Sequence, residues 1–280
     1  MAGRRNAVTA LELPSNWPVP NVAVSILHGG SAVGRAGDPH HRFRLASISK
    51  PISAWAALIA VEEGIVALDT PIGQPGCTLR HLLAHAGGYP FEGVEPIARP
   101  ERTRIYSNAG YQLLADELAR RAEMPFADYL AAAVFEPLGM SRTDLVGSPA
   151  HGVHSCASDL QAFVQEIMRP TLLDPATRDE AIRPQFPSLS GIVPGVGRFE
   201  RCPWGLGFEL RGEKQPHWTG RHNVASTYGH FGGAGTMLWV DPDADLAVIA
   251  LTDREFGPWA LEAWPQFSDA VLAEFGGATP

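Results

Sequence analysis

Ser47 and Lys50 pair a hydroxyl with an amine three residues on, in the stretch Phe43-Arg44-Leu45-Ala46-Ser47-Ile48-Ser49-Lys50-Pro51. If Ser47 opens a helix, the two side chains lie one turn apart on the same face and can meet. A serine hydroxyl is a poor nucleophile at neutral pH, and a lysine with a free pKa of about 10.4 is protonated there. Burial or a neighbouring cation drives the lysine toward its neutral form, which accepts the serine proton. The free N–H groups at a helix start favour the developing alkoxide and oxyanion. Taken alone, Ser-x-x-Lys is far more often an ordinary helix start with a serine cap, so partners elsewhere must decide.

Two stretches supply partners. Tyr106-Ser107-Asn108 sits where a loop enters a helix, and Tyr228-Gly229-His230-Phe231-Gly232-Gly233-Ala234-Gly235-Thr236 packs glycines into a strand pattern. Glycine weakens a strand, so such a cluster marks close approach of backbone to something. His81 and His85 have the four-residue spacing of helical metal ligands, but no third ligand pattern lies near them; His151 and His154 read as loop residues.

The elements that must position these groups follow from periodicity. Asn21–Leu27, Ser31–Arg35 and Arg42–Leu45 read as strands. Ile52, Trp55, Leu58, Ile59 and Val61 make the helix after Lys50 a buried one, stopped by Gly64. From Leu68 to about Gly205 the pattern is helical and cut by prolines. Asn108 caps one helix, Phe126–Phe135 forms another, and Ser158-Asp159 opens a third. Strand signals return over 204–210, 227–230, 236–240 and 246–251, and an amphipathic helix spans 259–275. The expectation is an α/β (α+β type) fold: residues 1–66 and 205–280 form one antiparallel sheet with flanking helices, and 67–204 an inserted all-helical subdomain.

The 280 residues bury a sizeable core. Lys+Arg 22 against Asp+Glu 30 gives a net charge of −8, with no basic run to track a phosphate backbone, so nucleic acid is not an expected partner. Cys77, Cys156 and Cys202 suggest neither a disulfide framework nor a zinc site. The charged opening Met1–Asn6 is followed by Glu12, Pro14, Asn16 and Pro18 rather than an apolar core. The run Ala54–Val61 is too short for a membrane span. The expectation is a soluble cytoplasmic protein without metal or cofactor; the sequence does not speak to its oligomeric state.

In this order the three stretches resemble the active-site motifs of the serine β-lactamase and penicillin-binding protein superfamily, in particular its class C β-lactamase-like branch of esterases and peptidases. His81–Gly88, Tyr106–Glu117, Phe135–Met140 and Leu238–Pro242 are also similar to stretches of that branch. The resemblance implies the β-lactamase/transpeptidase-like fold, with Ser47 as acylated nucleophile, Lys50 as its base and Tyr106 as proton relay. It implies that Asn108 holds the lysine and the substrate. His230 and Gly232 then stand in the Lys-Thr-Gly motif, and Gly233 N–H joins Ser47 N–H in the oxyanion hole. Histidine replaces the motif's lysine, the interval from Ser47 to Tyr106 is short for the family, and the class A glutamate is missing. The implied activity is hydrolysis of small esters or amides through an acyl-enzyme. A β-lactamase or D-amino-acid peptidase is the alternative, and an inactive binding or sensor domain the alternative of another class.

Overall fold

The apolar runs at the two ends of the chain meet in one sheet. The computed structural model describes residues 9–277, so Met1–Asn6 lies outside the described residues. After a 3-10 helix, Ala10–Asn16, come strands β1 (Val22–His28), β2 (Ser31–Gly37) and β3 (Phe43–Arg44), then helix α1 (Ser49–Glu62). The middle supplies α2 (Leu79–Leu83), α3 (Asn108–Ala122), α4 (Phe126–Leu130), β4 (Asp144–Leu145), β5 (Val153–Ser155), α5 (Ala157–Met168), α6 (Pro175–Ala181), β6 (Gly191–Val193) and β7 (Gly197–Phe199). It closes with β8 (Glu209–Leu210), β9 (Tyr228–Gly232), β10 (Thr236–Asp241), β11 (Leu246–Thr252) and α7 (Pro258–Phe275).

The central sheet is antiparallel with the order β2-β1-β11-β10-β9-β8. The first strand therefore pairs with the last, from Val22 against Thr252 to His28 against Leu246. Both faces are covered. Ala247, Ile249 and Leu251 join the core that holds α1 and α5, while Leu246, Val248 and Ala250 join the core that holds α7. Burial on both faces is why this strand is a continuous apolar run rather than an alternating one. Helix α1 is enclosed from Ser49 to Ala60, as its apolar circumference requires.

Three local expectations shift. The stretch 67–204 is not purely helical: β4 and β5 join β3 in a three-stranded sheet, and β6 pairs with β7. Strands of two or three residues are too short to leave a period-two pattern. The strand expected over 204–210 shrinks to β8, because Gly207 at φ +96° turns the chain against α1, where a β-carbon would lie 2.3 Å from that of Ala54. Finally, α4 passes into a π-turn over Ala131–Phe135. No described helix is long and apolar enough to cross a membrane.

Candidate active site

Ser47 does not open the helix. It lies in a 3-10 turn, Ala46–Ile48, and α1 begins at Ser49. Ala46 has φ +48°, a left-handed conformation that an L-residue adopts at a cost. The surroundings hold it there. Thr236 Oγ1 on β10 donates to Leu45 O at 2.8 Å, and Leu45 N–H donates to Val153 O at 2.9 Å. Ser49 Oγ donates to Ala46 O at 2.7 Å and accepts from Val153 N–H at 2.9 Å. Gly232 permits the approach of β9, since a β-carbon there would meet Leu45 O at 2.2 Å. The hydroxyl-bearing turn is thus clamped between the main sheet and the small one, with Ser47 partly exposed at its apex.

Lys50 is fully buried. Its Nζ donates to Asn108 Oδ1 at 2.6 Å and to Ala150 O at 3.1 Å, and lies 3.4 Å from Ser47 Oγ. Burial drives its pKa well below the ordinary lysine value, with Glu92 pulling the other way. Asn108 is not the helix cap. Ser107 takes that role, accepting from Gly110 N–H at 2.8 Å, and Asn108, first residue of α3, is left free to face the lysine.

Tyr106 places its ring under the lysine, 4.5 Å from nitrogen to centroid. Its hydroxyl is buried without a close hydrogen-bond partner. Burial raises its pKa, opposed by the Ser47 hydroxyl, so the group is a phenol at neutral pH. His230 on β9 is 2% exposed. Its Nδ1 lies 2.6 Å from Phe231 O, which fixes the proton on that nitrogen and leaves Nε2 as a buried, unpartnered acceptor. Burial, then the Lys50 charge, hold its pKa down at about 4, so the imidazole is neutral at pH 7.

These groups open on a pocket of about 240 Å³. Ser47, Tyr106, His230 and Gly233 form its polar side, and Phe91, Val193, Pro194, Trp204, Phe231 and Phe256 its apolar walls. It is lined by no permanent cation. A larger groove of about 910 Å³, walled by Arg211, Gln215, His222 and Glu262 among others, contains none of the motif residues. Among the described residues no group of three His, Cys, Asp or Glu side chains is placed to hold a metal ion.

The structure brings together Ser47, Lys50, Tyr106, Asn108, His230, Gly232 and Gly233. Sequence reasoning missed the second ring of residues. His85 does not pair with His81, which turns to Thr78 and Glu101. It sits beyond the end of α2 at φ +55°, its ring 4.6 Å from that of Tyr106, with Nδ1 accepting from Ser107 N–H at 3.1 Å. Burial, then the neighbouring basic groups Lys50, His230 and Arg104, hold its pKa well below the ordinary histidine value. Glu92 accepts from Asn108 Nδ2 at 2.7 Å. Neither contact has a local sequence signal, because both join segments more than fifteen residues apart.

The arrangement can do acyl transfer: a hydroxyl beside a buried amine, a phenol at hand, and an apolar pocket in front. Known proteins resemble it. A crystal structure of a β-lactamase from Mycobacterium bovis is similar at TM-score 0.94 and 47% identity, covering 96% of this chain and 100% of that one. Penicillin-binding protein 4* of Bacillus subtilis is 31% identical over 36% of this chain and 30% of its own. Esterase EstB of Burkholderia gladioli is 34% identical over 31% of this chain and 29% of its own. The matched part thus spans less than a third of either of these two curated relatives. The family model described as Beta-lactamase matches residues 14–272, a span that takes in every residue of the site, and the chain belongs to the beta-lactamase family.

Proposed function

We propose that this beta-lactamase-family serine hydrolase forms an acyl-enzyme on Ser47 and hydrolyses small, uncharged esters, with amides as slower substrates. The observation that carries the reading is the hydrogen-bond count at Lys50. A neutral amine has two N–H donors and one lone pair. Asn108 Oδ1 and Ala150 O take the two donors. The lone pair is left for the Ser47 hydroxyl, 3.4 Å away.

In this mechanism Lys50 takes the Ser47 proton as Oγ attacks the substrate carbonyl. The backbone N–H groups of Ser47 and Gly233 receive the oxyanion. Tyr106, a phenol, donates to the leaving oxygen, and water reverses the steps to release the acid. His230 faces the substrate in the pocket, and Asn108 holds Lys50 in place. The names of two relatives, an esterase and a penicillin-binding protein, are compatible with this class of chemistry. The apolar walls and the neutral His230 support an uncharged ester over a carboxylate-bearing substrate. The β-lactamase of M. bovis favours a second reading, a β-lactam substrate. We also read residues 1–66 with 205–280, and residues 67–204, as two subdomains that flank the cleft.

Intact-mass analysis after treatment with a fluorophosphonate probe tests the acyl-enzyme. One adduct is expected, lost in Ser47→Ala. Labelling that survives the substitution would overturn the assignment, and a wild-type protein that never labels returns the chain to the reading of an inactive binding domain. Turnover of p-nitrophenyl acetate against nitrocefin then separates the two substrate readings.

A further inference from the structure

Three successive residues of the loop after Tyr89 grip the start of α3. Pro90 O accepts from Ser107 Oγ at 2.7 Å, Phe91 O accepts from Asn108 N–H at 2.9 Å, and Glu92 Oε1 accepts from Asn108 Nδ2 at 2.7 Å. The Asn108 amide is therefore engaged at both ends, since its Oδ1 accepts from Lys50 at 2.6 Å. Turned over, the amide would set its N–H groups against the lysine donors and its oxygen against a carboxylate. Both contacts would become repulsive, so Glu92 fixes which way Asn108 points.

We propose that Glu92 is a positioning residue: it locks the Asn108 amide with Oδ1 toward Lys50, and its carboxylate is the counter-charge of the lysine. The other titratable groups around Lys50 do not share that second role. The rings of Tyr106 and Tyr111 lie 4.5 and 5.7 Å from its nitrogen, and His85, His151 and His230 are neutralised by burial together with the lysine's own charge. Glu92 is the acidic side chain whose field favours the protonated lysine, against burial. Burial has the larger effect, and an exposed loop residue thereby tunes, in the opposite direction, the acidity at which the base becomes available. The inference rests on Lys50 being the base of Ser47.

The test is the pH profile of p-nitrophenyl acetate hydrolysis between about pH 5 and pH 10 for wild type, Glu92→Gln, Glu92→Asp and Glu92→Ala. Because the side chain is exposed, all four proteins are expected to fold. Glu92→Gln keeps an acceptor for Asn108 and loses the charge, so its acidic limb moves to lower pH by about half to one unit. Glu92→Asp keeps the charge and holds the limb at the wild-type position. Glu92→Ala shifts the limb like the glutamine variant and also loses about tenfold in the plateau rate, because Asn108 is free to rotate. A glutamine limb that superposes on wild type overturns the counter-charge, and equal plateaus for the alanine and glutamine variants overturn the lock. Fluorophosphonate labelling of wild type separates the two levels: an adduct on Ser47 with unmoved limbs sinks this inference alone, whereas no adduct removes the ground for both.

Discussion

The Lys50 amine nitrogen sits over the face of the Tyr106 ring, 4.5 Å from its centroid, rather than beside the phenolic oxygen. Lysine and tyrosine are therefore stacked, each adjacent to Ser47, instead of forming a linear relay of hydrogen bonds. A protonated lysine gains from the π face, worth about 0.5–2 kcal/mol, which partly offsets the cost of its burial. In the mechanism proposed above, both groups serve one net proton transfer, from Ser47 to the leaving oxygen.

We therefore predict that Lys50→Ala, Tyr106→Phe and the double variant each lose about a thousandfold in turnover of p-nitrophenyl acetate, without multiplication in the double. Steady-state kinetics on the three variants decide it. Single losses that multiply in the double variant would show two independent contributions.

His230 predicts substrate charge preference. A substrate carboxylate placed against its neutral ring lacks a charge-assisted hydrogen bond, an interaction of about 1.5–3 kcal/mol or roughly ten- to a hundredfold in binding. The hypothesis is that short p-nitrophenyl esters have a higher kcat/KM than nitrocefin or penicillins, and that His230→Lys narrows the gap. A wild-type preference for β-lactams would count against it while leaving Ser47 in place.

The same burial predicts a pH dependence of stability. With a pKa of about 4 folded, and about 6.5 unfolded, His230 binds its proton more readily in the unfolded chain. Between these values the unfolded state holds the extra proton, so stability rises with pH and is lost as pH falls from about 6.5 toward 4. The full loss is on the order of 3 kcal/mol, and buried His85 adds to it in the same direction. Urea unfolding at pH 7 and pH 4.5 is expected to show a smaller drop for His230→Asn than for wild type. Identical drops would mean that His230 is not the titrating group.

Gly232 and Gly233, neighbours in sequence, are predicted to respond oppositely to alanine. A β-carbon on Gly232 meets Leu45 O at 2.2 Å and Thr236 Oγ1 at 2.4 Å, whereas one on Gly233 has nothing within 4 Å. Gly232→Ala is expected to cost about 2–4 kcal/mol and to displace the turn that carries Ser47. Gly233→Ala is expected to keep the wild-type Tm within a few degrees. Thermal unfolding of the two variants checks this, and equal Tm values would mean that β9 can move away from Leu45.

Much of the site was legible because its groups cluster in short stretches. Ser47 with Lys50, Tyr106 with Asn108, and His230 with the glycines each announce themselves locally, and the paired terminal strands follow from their apolar runs. What stayed hidden was set by contacts between distant segments. The helix starts at Ser49 rather than Ser47 because β9, β10 and Val153 hold Leu45 and Ala46 in a turn. Asn108 leaves the cap to Ser107 because its amide is claimed by Lys50 and Glu92. His85 carries the spacing of a helical pair with His81, yet its positive φ sends it to Tyr106 instead.

The bond from Thr236 Oγ1 to Leu45 O closes a separation of 191 residues, and β1, paired along one edge with β2, waits for β11 to cover the other. During synthesis Ser47 emerges well before β9 and β10, which together with Val153 hold its turn in shape. Until β10 arrives, the turn that carries Ser47 lacks the Thr236 bond that helps to clamp it. A product interrupted before β9 therefore carries both halves of the Ser-x-x-Lys pair without the strands that complete the clamp on its turn.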